Sequence, residues 1–100
     1  MVKHVILWTL KERCFGANLE QIKAGIKDGL EGLKGEIPGL VDIKVITEGL
    51  STSNADIMLD STFESEEALK NYAVHPKHVA VANEMVRPFT ESRTCMDFEI

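Results

Sequence analysis

The chain has little cysteine and no excess of positive charge, and each shortage narrows what it does. Its two cysteines, Cys14 and Cys95, form no C-x-x-C pair and lie far apart in a sequence of 100 residues. They read as two buried or idle thiols in a reducing compartment, not as a redox centre or a disulfide framework. Eleven Lys and Arg against sixteen Asp and Glu leave a formal net charge of −5. That disfavours a nucleic-acid partner, which calls for a basic face to displace counterions from phosphates, and a polybasic attachment to anionic lipids. No apolar run approaches the ~20 residues of a membrane-spanning helix. The chain opens directly on a strand-like pattern, without a charged segment, apolar run and small-residue cleavage site, so the cytoplasm is the expected location. Low-complexity tracts are absent, and the apolar fraction is that of a globular protein. One domain with one core, residues 1–100, is expected.

Several chemical signatures are missing too. H-E-x-x-H and C-x-x-C spacings do not occur, so no zinc ligand set and no cofactor is expected, and a carboxylate-bound cation at a loop is left open. G-x-S-x-G is absent, and neither cysteine is near a histidine in sequence. Ser51-Thr52-Ser53 lacks the glycine spacing of a phosphate cradle, and Glu66-Glu67 is the acidic first turn of a helix.

What is present concentrates in Tyr72-Ala73-Val74-His75-Pro76-Lys77-His78. One phenol and two imidazoles lie within seven residues, around a proline that interrupts a helix. Imidazole and phenol are groups that move protons near neutral pH. On a helical path, residues three or four apart share a face, which pairs Tyr72 with His75 and His75 with His78. Two readings of this stretch stand side by side. In one, His78 is held through one ring nitrogen and turns the other into a cavity as a base. In the other, His75 caps the second helical segment, Tyr72 is a half-buried ring, and the group merely stitches the helix break. His4, the sole polar side chain on its strand face, is either a satisfied core residue or a third pocket residue.

The remaining pattern predicts a fold. Val2–Leu10 reads as a strand, with Val2, His4, Ile6, Trp8 and Leu10 on one face and Lys3, Val5, Leu7 and Thr9 on the other. Asn18 with Gln21 suggests a capping box. Leu19, Ile22, Ile26, Leu30 and Leu33 then repeat at helical spacing as far as about Gly35, with Gly25, Gly29 and Gly32 allowing close approach to a sheet. After the Ile37-Pro38-Gly39-Leu40 turn, Val41–Glu48 is a second strand with Val41, Ile43 and Val45 facing together. Asp56–Phe63 is a third. Ser65 caps a second helix with Ala68, Leu69, Tyr72 and Ala73 as its inner stripe. Pro76 starts a further helical segment that turns Val79, Ala82, Val86 and Met85 inward, and Arg93–Ile100 closes the chain as a fourth strand. The order β-α-β-β-α-β is the split arrangement of ferredoxin-like α+β domains, a four-stranded antiparallel sheet with helices on one face. Neither face of the first strand is polar, and Trp8 and Leu10 need cover. A homodimer packed sheet to sheet is the economical solution.

Val2-Lys3-His4-Val5, Ile37-Pro38-Gly39-Leu40, Thr62–Ala68, Tyr72–Val79 and Asp97-Phe98, in this order, make the chain resemble the stress-responsive A/B barrel domain (Dabb) proteins of the dimeric α+β barrel superfamily. The resemblance runs essentially end to end. It implies a homodimeric barrel with a cavity between sheet and helices in each protomer. Most members have no assigned reaction. One plant branch resembles a polyketide cyclase, in which a histidine is general base and a tyrosine orients it or the substrate. By position these would be His78 and Tyr72, with His4 near the same cavity. The expectation that follows is a small apolar or aromatic ligand and cofactor-free proton abstraction next to a carbonyl, cyclase- or lyase-like. The alternatives are a non-catalytic stress-response or interaction protein and a monooxygenase-like barrel, haem-dependent or cofactor-free.

Overall fold

The structure is a computed structural model describing residues 1–100. Strand β1 (Val2–Leu10) leads through a short turn to helix α1 (Leu19–Glu31), then to β2 (Leu40–Ile46) and β3 (Ile57–Phe63). Helices α2 (Glu66–Val74) and α3 (Pro76–Val81) follow, a π-helical turn spans Ala82–Val86, and β4 (Thr90–Glu99) ends the fold. The sheet order is β2-β3-β1-β4, with every neighbouring pair antiparallel. This is the ferredoxin-like arrangement expected from the sequence. No helix is long and apolar enough to cross a membrane.

Strand alternation sets the two faces. Ile6, Trp8 and Leu10 of β1 are buried with Val45, Leu59 and Phe63 of the neighbouring strands, against Ile26 and Leu30 of α1 and Leu69 and Tyr72 of α2. Trp8 and Leu10 therefore find their cover within the protomer. This corrects the expectation that they face a second copy: the helices take this face because it carries the larger apolar side chains. The other face is the one left open. There Leu7 lies opposite Met58 and Thr94, and Val5 opposite Asp60 and Met96. Met96 is 68% exposed, and a Lys3–Asp60 ion pair of 2.8 Å crosses the same surface.

Several local expectations shift. The register between β2 and β3 slips between Leu40 and Asp42, so Leu40 turns inward and Val41 outward. An extra residue at a bulge reverses the alternation that periodicity alone assigns. Helix α1 stops at Glu31, earlier than Gly35, and the Asn18 side chain makes no capping hydrogen bond. Gly25 and Gly29 admit a helical neighbour, not the sheet: a Cβ at Gly29 would stand 3.0 Å from a Val81 methyl, and one at Gly25 would lie 3.5 Å from the Met85 sulfur. Met85 accordingly packs on α1 while remaining partly exposed. Gly39 has a required role, with φ of +81° and no room for a Cβ, since Ala68 Cβ would be 2.5 Å away. At the β2 edge, Val45 donates its N–H to Glu31 (2.9 Å) and accepts from Lys27 through its carbonyl (2.7 Å). Helix α1 thus covers backbone groups that an edge strand leaves open.

Candidate active site

The α2–α3 junction builds the centre of the site. His75 has φ −67° and ψ 133°, the extended geometry imposed on a residue before proline. Its backbone N–H closes α2 on the Tyr72 carbonyl (3.1 Å), and its Nδ1 accepts from the Lys77 N–H (3.1 Å). His75 is thus the cap of α3, as the structural reading of its sequence position expects. Its capping geometry also keeps it out of the cavity.

The break has a consequence for its neighbours. Tyr72 and His78 are six residues apart, which in an uninterrupted helix of 3.6 residues per turn puts them on different faces. The turn at His75 and Pro76 brings His78 back onto Tyr72, with ring centroids 4.2 Å apart and planes at 34°. The His78 Nδ1 lies 3.2 Å from the Ala73 carbonyl oxygen. A carbonyl only accepts, so Nδ1 carries the proton and Nε2 keeps its lone pair. Burial lowers the pKa of His78 below 6.5, and the charges of Arg87, His4 and Arg93 act in the same direction; the Ala73 hydrogen bond opposes them. His78 is therefore neutral at neutral pH, with the Nε2 lone pair free to accept a proton.

Tyr72 is 1% exposed. Its ring packs on Phe63 at 4.9 Å, but its hydroxyl finds no hydrogen-bond partner. Burial pushes the phenol well above its ordinary pKa of 10, so it stays a neutral donor. His4, on β1, sits edge-on to Tyr72 at 6.3 Å. Its Nδ1 meets the carboxylate of Asp97, its cross-strand partner on β4, and its carbonyl accepts from the Ser61 hydroxyl at 2.8 Å.

His4, Tyr72 and His78 line one cavity of about 380 Å³, with Ile6, Trp8 and Leu30 among its apolar walls. Of the four histidine and tyrosine positions singled out in the sequence, these three converge and His75 does not. Arg87 and Arg93 line the same cavity, and neither pairs with a carboxylate: the Arg87 guanidinium bonds to Asn83, and every ion pair in the chain uses lysine or histidine. Sequence reasoning missed both arginines. Arg93 was detectable only through the β4 register, since its cross-strand partner is Trp8.

A second cleft of about 630 Å³ adjoins the first between α2 and the helix-side face of β4, lined by Arg93, Cys95, Asp97 and Glu99. Cys95, far from any histidine in sequence, stands 3.7 Å from His4 Nδ1 and 3.5 Å from Asp97 Oδ1. Burial first, and then Asp97, raise its thiol pKa, which does not suit an activated nucleophile. Cys14 is buried beneath Phe89, whose carbonyl is 3.5 Å from its sulfur.

The profile of the stress-responsive A/B barrel domain matches residues 2–100. Among solved structures, a dimeric protein of unknown function and ferredoxin-like fold from Bacteroides fragilis is similar at TM-score 0.89 and 29% identity, over 99% of this chain and 95% of that one. A dimeric ferredoxin-like protein of unknown function from Thermobifida fusca is similar at TM-score 0.79 and 21% identity, over 99% and 90%. A hydroxynitrile lyase from Passiflora edulis is similar at TM-score 0.73 and 20% identity, over 99% and 92%; at such identities the likeness is one of fold. No curated protein matches the sequence significantly. With the domain profile spanning all but its first residue, the chain belongs to the stress-responsive A/B barrel domain family.

Proposed function

We propose that the protein is a homodimer that binds a small aromatic or acyl compound bearing an acidic or enolisable carbonyl head, and moves a proton at the carbon beside that carbonyl. The observation that carries this reading is the Tyr72–His78 pair: a neutral imidazole with its Nδ1 tied to Ala73, stacked on a buried phenol whose hydroxyl has no partner in the chain. An orphaned buried hydroxyl loses stability unless a ligand completes it.

In this reading the apolar walls take the body of the ligand, and Arg87 and Arg93 attract its acidic head. His78 Nε2 accepts the α-proton: the C–H bond breaks, an N–H bond forms, and the electron pair moves onto the carbonyl oxygen as an enolate. The Tyr72 hydroxyl donates to that oxygen, and the two guanidinium charges stabilise it. The enolate then attacks a second carbonyl, closing a ring, or expels a leaving group, and the imidazolium returns its proton. His4 supplies a further polar wall, oriented by Asp97. The dimer is supported by the dimeric relatives and by the exposed apolar sheet face around Leu7, Met58 and Met96.

The test is α-proton exchange in D2O, followed by NMR, with a panel of aryl and acyl 1,3-dicarbonyl acids. Wild type is expected to accelerate exchange of at least one member. His78→Ala is expected to abolish the acceleration, by roughly 10²–10⁴-fold for loss of a general base, while retaining fold and dimer. Equal exchange in wild type and mutant, or a His78→Ala protein that merely unfolds earlier and binds nothing less, would leave the histidine a structural residue.

A further inference from the structure

We propose that His4, Cys95 and Asp97 form a binding site for a single zinc-type divalent cation, on the helix side of β4 and open to the cleft beside α2. The inference does not use the His78 base, although His4, the partner of Asp97, also lines that cavity. It rests on how three donor atoms from two strands converge. His4 and Asp97 are direct cross-strand partners, and Cys95 lies two residues before Asp97 on the same face. The Nδ1, Sγ and carboxylate oxygen of these residues all lie within 4.8 Å of one another.

The spacing suits one metal. Zinc bonds of about 2.3 Å to sulfur and 2.0–2.1 Å to nitrogen or oxygen, at tetrahedral angles, separate the donors by roughly 3.3–3.6 Å. Sγ stands 3.7 Å from Nδ1 and 3.5 Å from the Asp97 oxygen. The third edge, a hydrogen bond between Nδ1 and Asp97, is shorter and opens when a cation replaces the proton that the two share. A nucleophilic Cys-His-Asp relay is a poor description of the same atoms. A relay uses the two ring nitrogens in turn, whereas here thiol and carboxylate both face Nδ1.

Charge and protons balance. The thiol loses its proton to solvent, and the imidazole moves its own from Nδ1 to Nε2, freeing the Nδ1 lone pair. Thiolate and carboxylate together then neutralise the dication. A thiolate–imidazole–carboxylate set selects a borderline cation such as Zn2+ over Mg2+ or Ca2+, which prefer all-oxygen shells. Three protein ligands leave a coordination position for water or a ligand oxygen from the cleft. Arg93 and Lys70 of the same cleft oppose a cation and Glu99 favours one, while Glu66 is already paired with Lys70 at 3.5 Å.

Cobalt titration of the reduced protein, watched by absorption, tests the proposal. One Co2+ per protomer is expected to bind saturably, with a thiolate-to-cobalt charge-transfer band that Zn2+ abolishes by competition. The band should persist in Cys14→Ser and vanish in Cys95→Ser, an exposed position where the change leaves the fold intact. Asp97→Asn should weaken binding by at least the ~10–100-fold that removal of a mere outer-shell partner costs. No saturable band in wild type, or a band unchanged in Cys95→Ser, overturns the site.

Discussion

Tyr72 places a hydroxyl in the interior with nothing in the chain to bond it, which separates stability from function at a single atom. Tyr72→Phe keeps the ring packing on Phe63 and His78 and removes a group whose desolvation is uncompensated. The variant is expected to be as stable as wild type or more stable by about 1 kcal/mol in urea unfolding, because an unsatisfied buried polar group costs that order of free energy. Ligand binding or proton exchange should weaken by about tenfold or more. A hydroxyl with a purely structural role would show the opposite pattern, lost stability with unchanged binding. His78 makes a companion prediction in pH. Its folded pKa lies below the ordinary 6.5 because it is buried and faces Arg87, Arg93 and His4, with Tyr72 stacked on it. As pH falls, the unfolded chain therefore takes up this proton first. The contribution of His78 to stability is level above 6.5 and declines from there down through the folded pKa. Across that window stability should decline more steeply in wild type than in His78→Gln, and the acid limb of any exchange activity should fall below pH 6.5.

At the scale of elements, the proline-broken helix and the turn before β2 bear the most weight. Both were legible locally: Pro76 at the first position of α3 with His75 as its cap, and Gly39 in the Ile37-Pro38-Gly39-Leu40 turn with φ of +81°. Each depends only on neighbours in the chain. What local pattern did not disclose was the direction of the second segment, which decides that His78 meets Tyr72 while His75 does not. Val41 and the α1 glycines are further instances, since a bulge and a helix–helix contact are set by the partner element. Glycine substitutions make this testable by thermal unfolding. Gly25→Ala meets only an ordinary 3.5 Å contact with Met85 and should stabilise by up to ~1 kcal/mol through helix propensity. Gly39→Ala combines a left-handed backbone with a 2.5 Å clash on Ala68 and should destabilise by more than ~1 kcal/mol.

For the whole molecule, the open sheet face is the feature that a protomer alone leaves unexplained. Leu7 is half-exposed in mid-strand, flanked by Met58 across one ladder and by Thr94 across the other. A soluble surface does not ordinarily array Val5, Leu7, Met58 and Met96 together. Light scattering coupled to size exclusion is expected to give twice the protomer mass for wild type, and the protomer mass for Leu7→Lys with its helix and strand content retained. A Leu7→Lys protein that stays dimeric would move the interface to another surface.

The sequence by itself determined the class of fold and the family, because alternation in four strands, two helical periods and the Tyr72–Val79 motif are properties of nearest neighbours along the chain. It also named His4, Tyr72 and His78. The family resemblance implied that these three lie at one cavity, but only the tertiary structure decided that Arg87 and Arg93 join them unpaired and that Cys95 lies against His4. It also reversed the assignment of Trp8 and Leu10, from a face needing a second copy to the protomer's own core. The physical reason is the same in each case. Strand register and the angle of a kinked helix are set by contacts distant in sequence, and a shift of one residue or one turn redirects every side chain that follows.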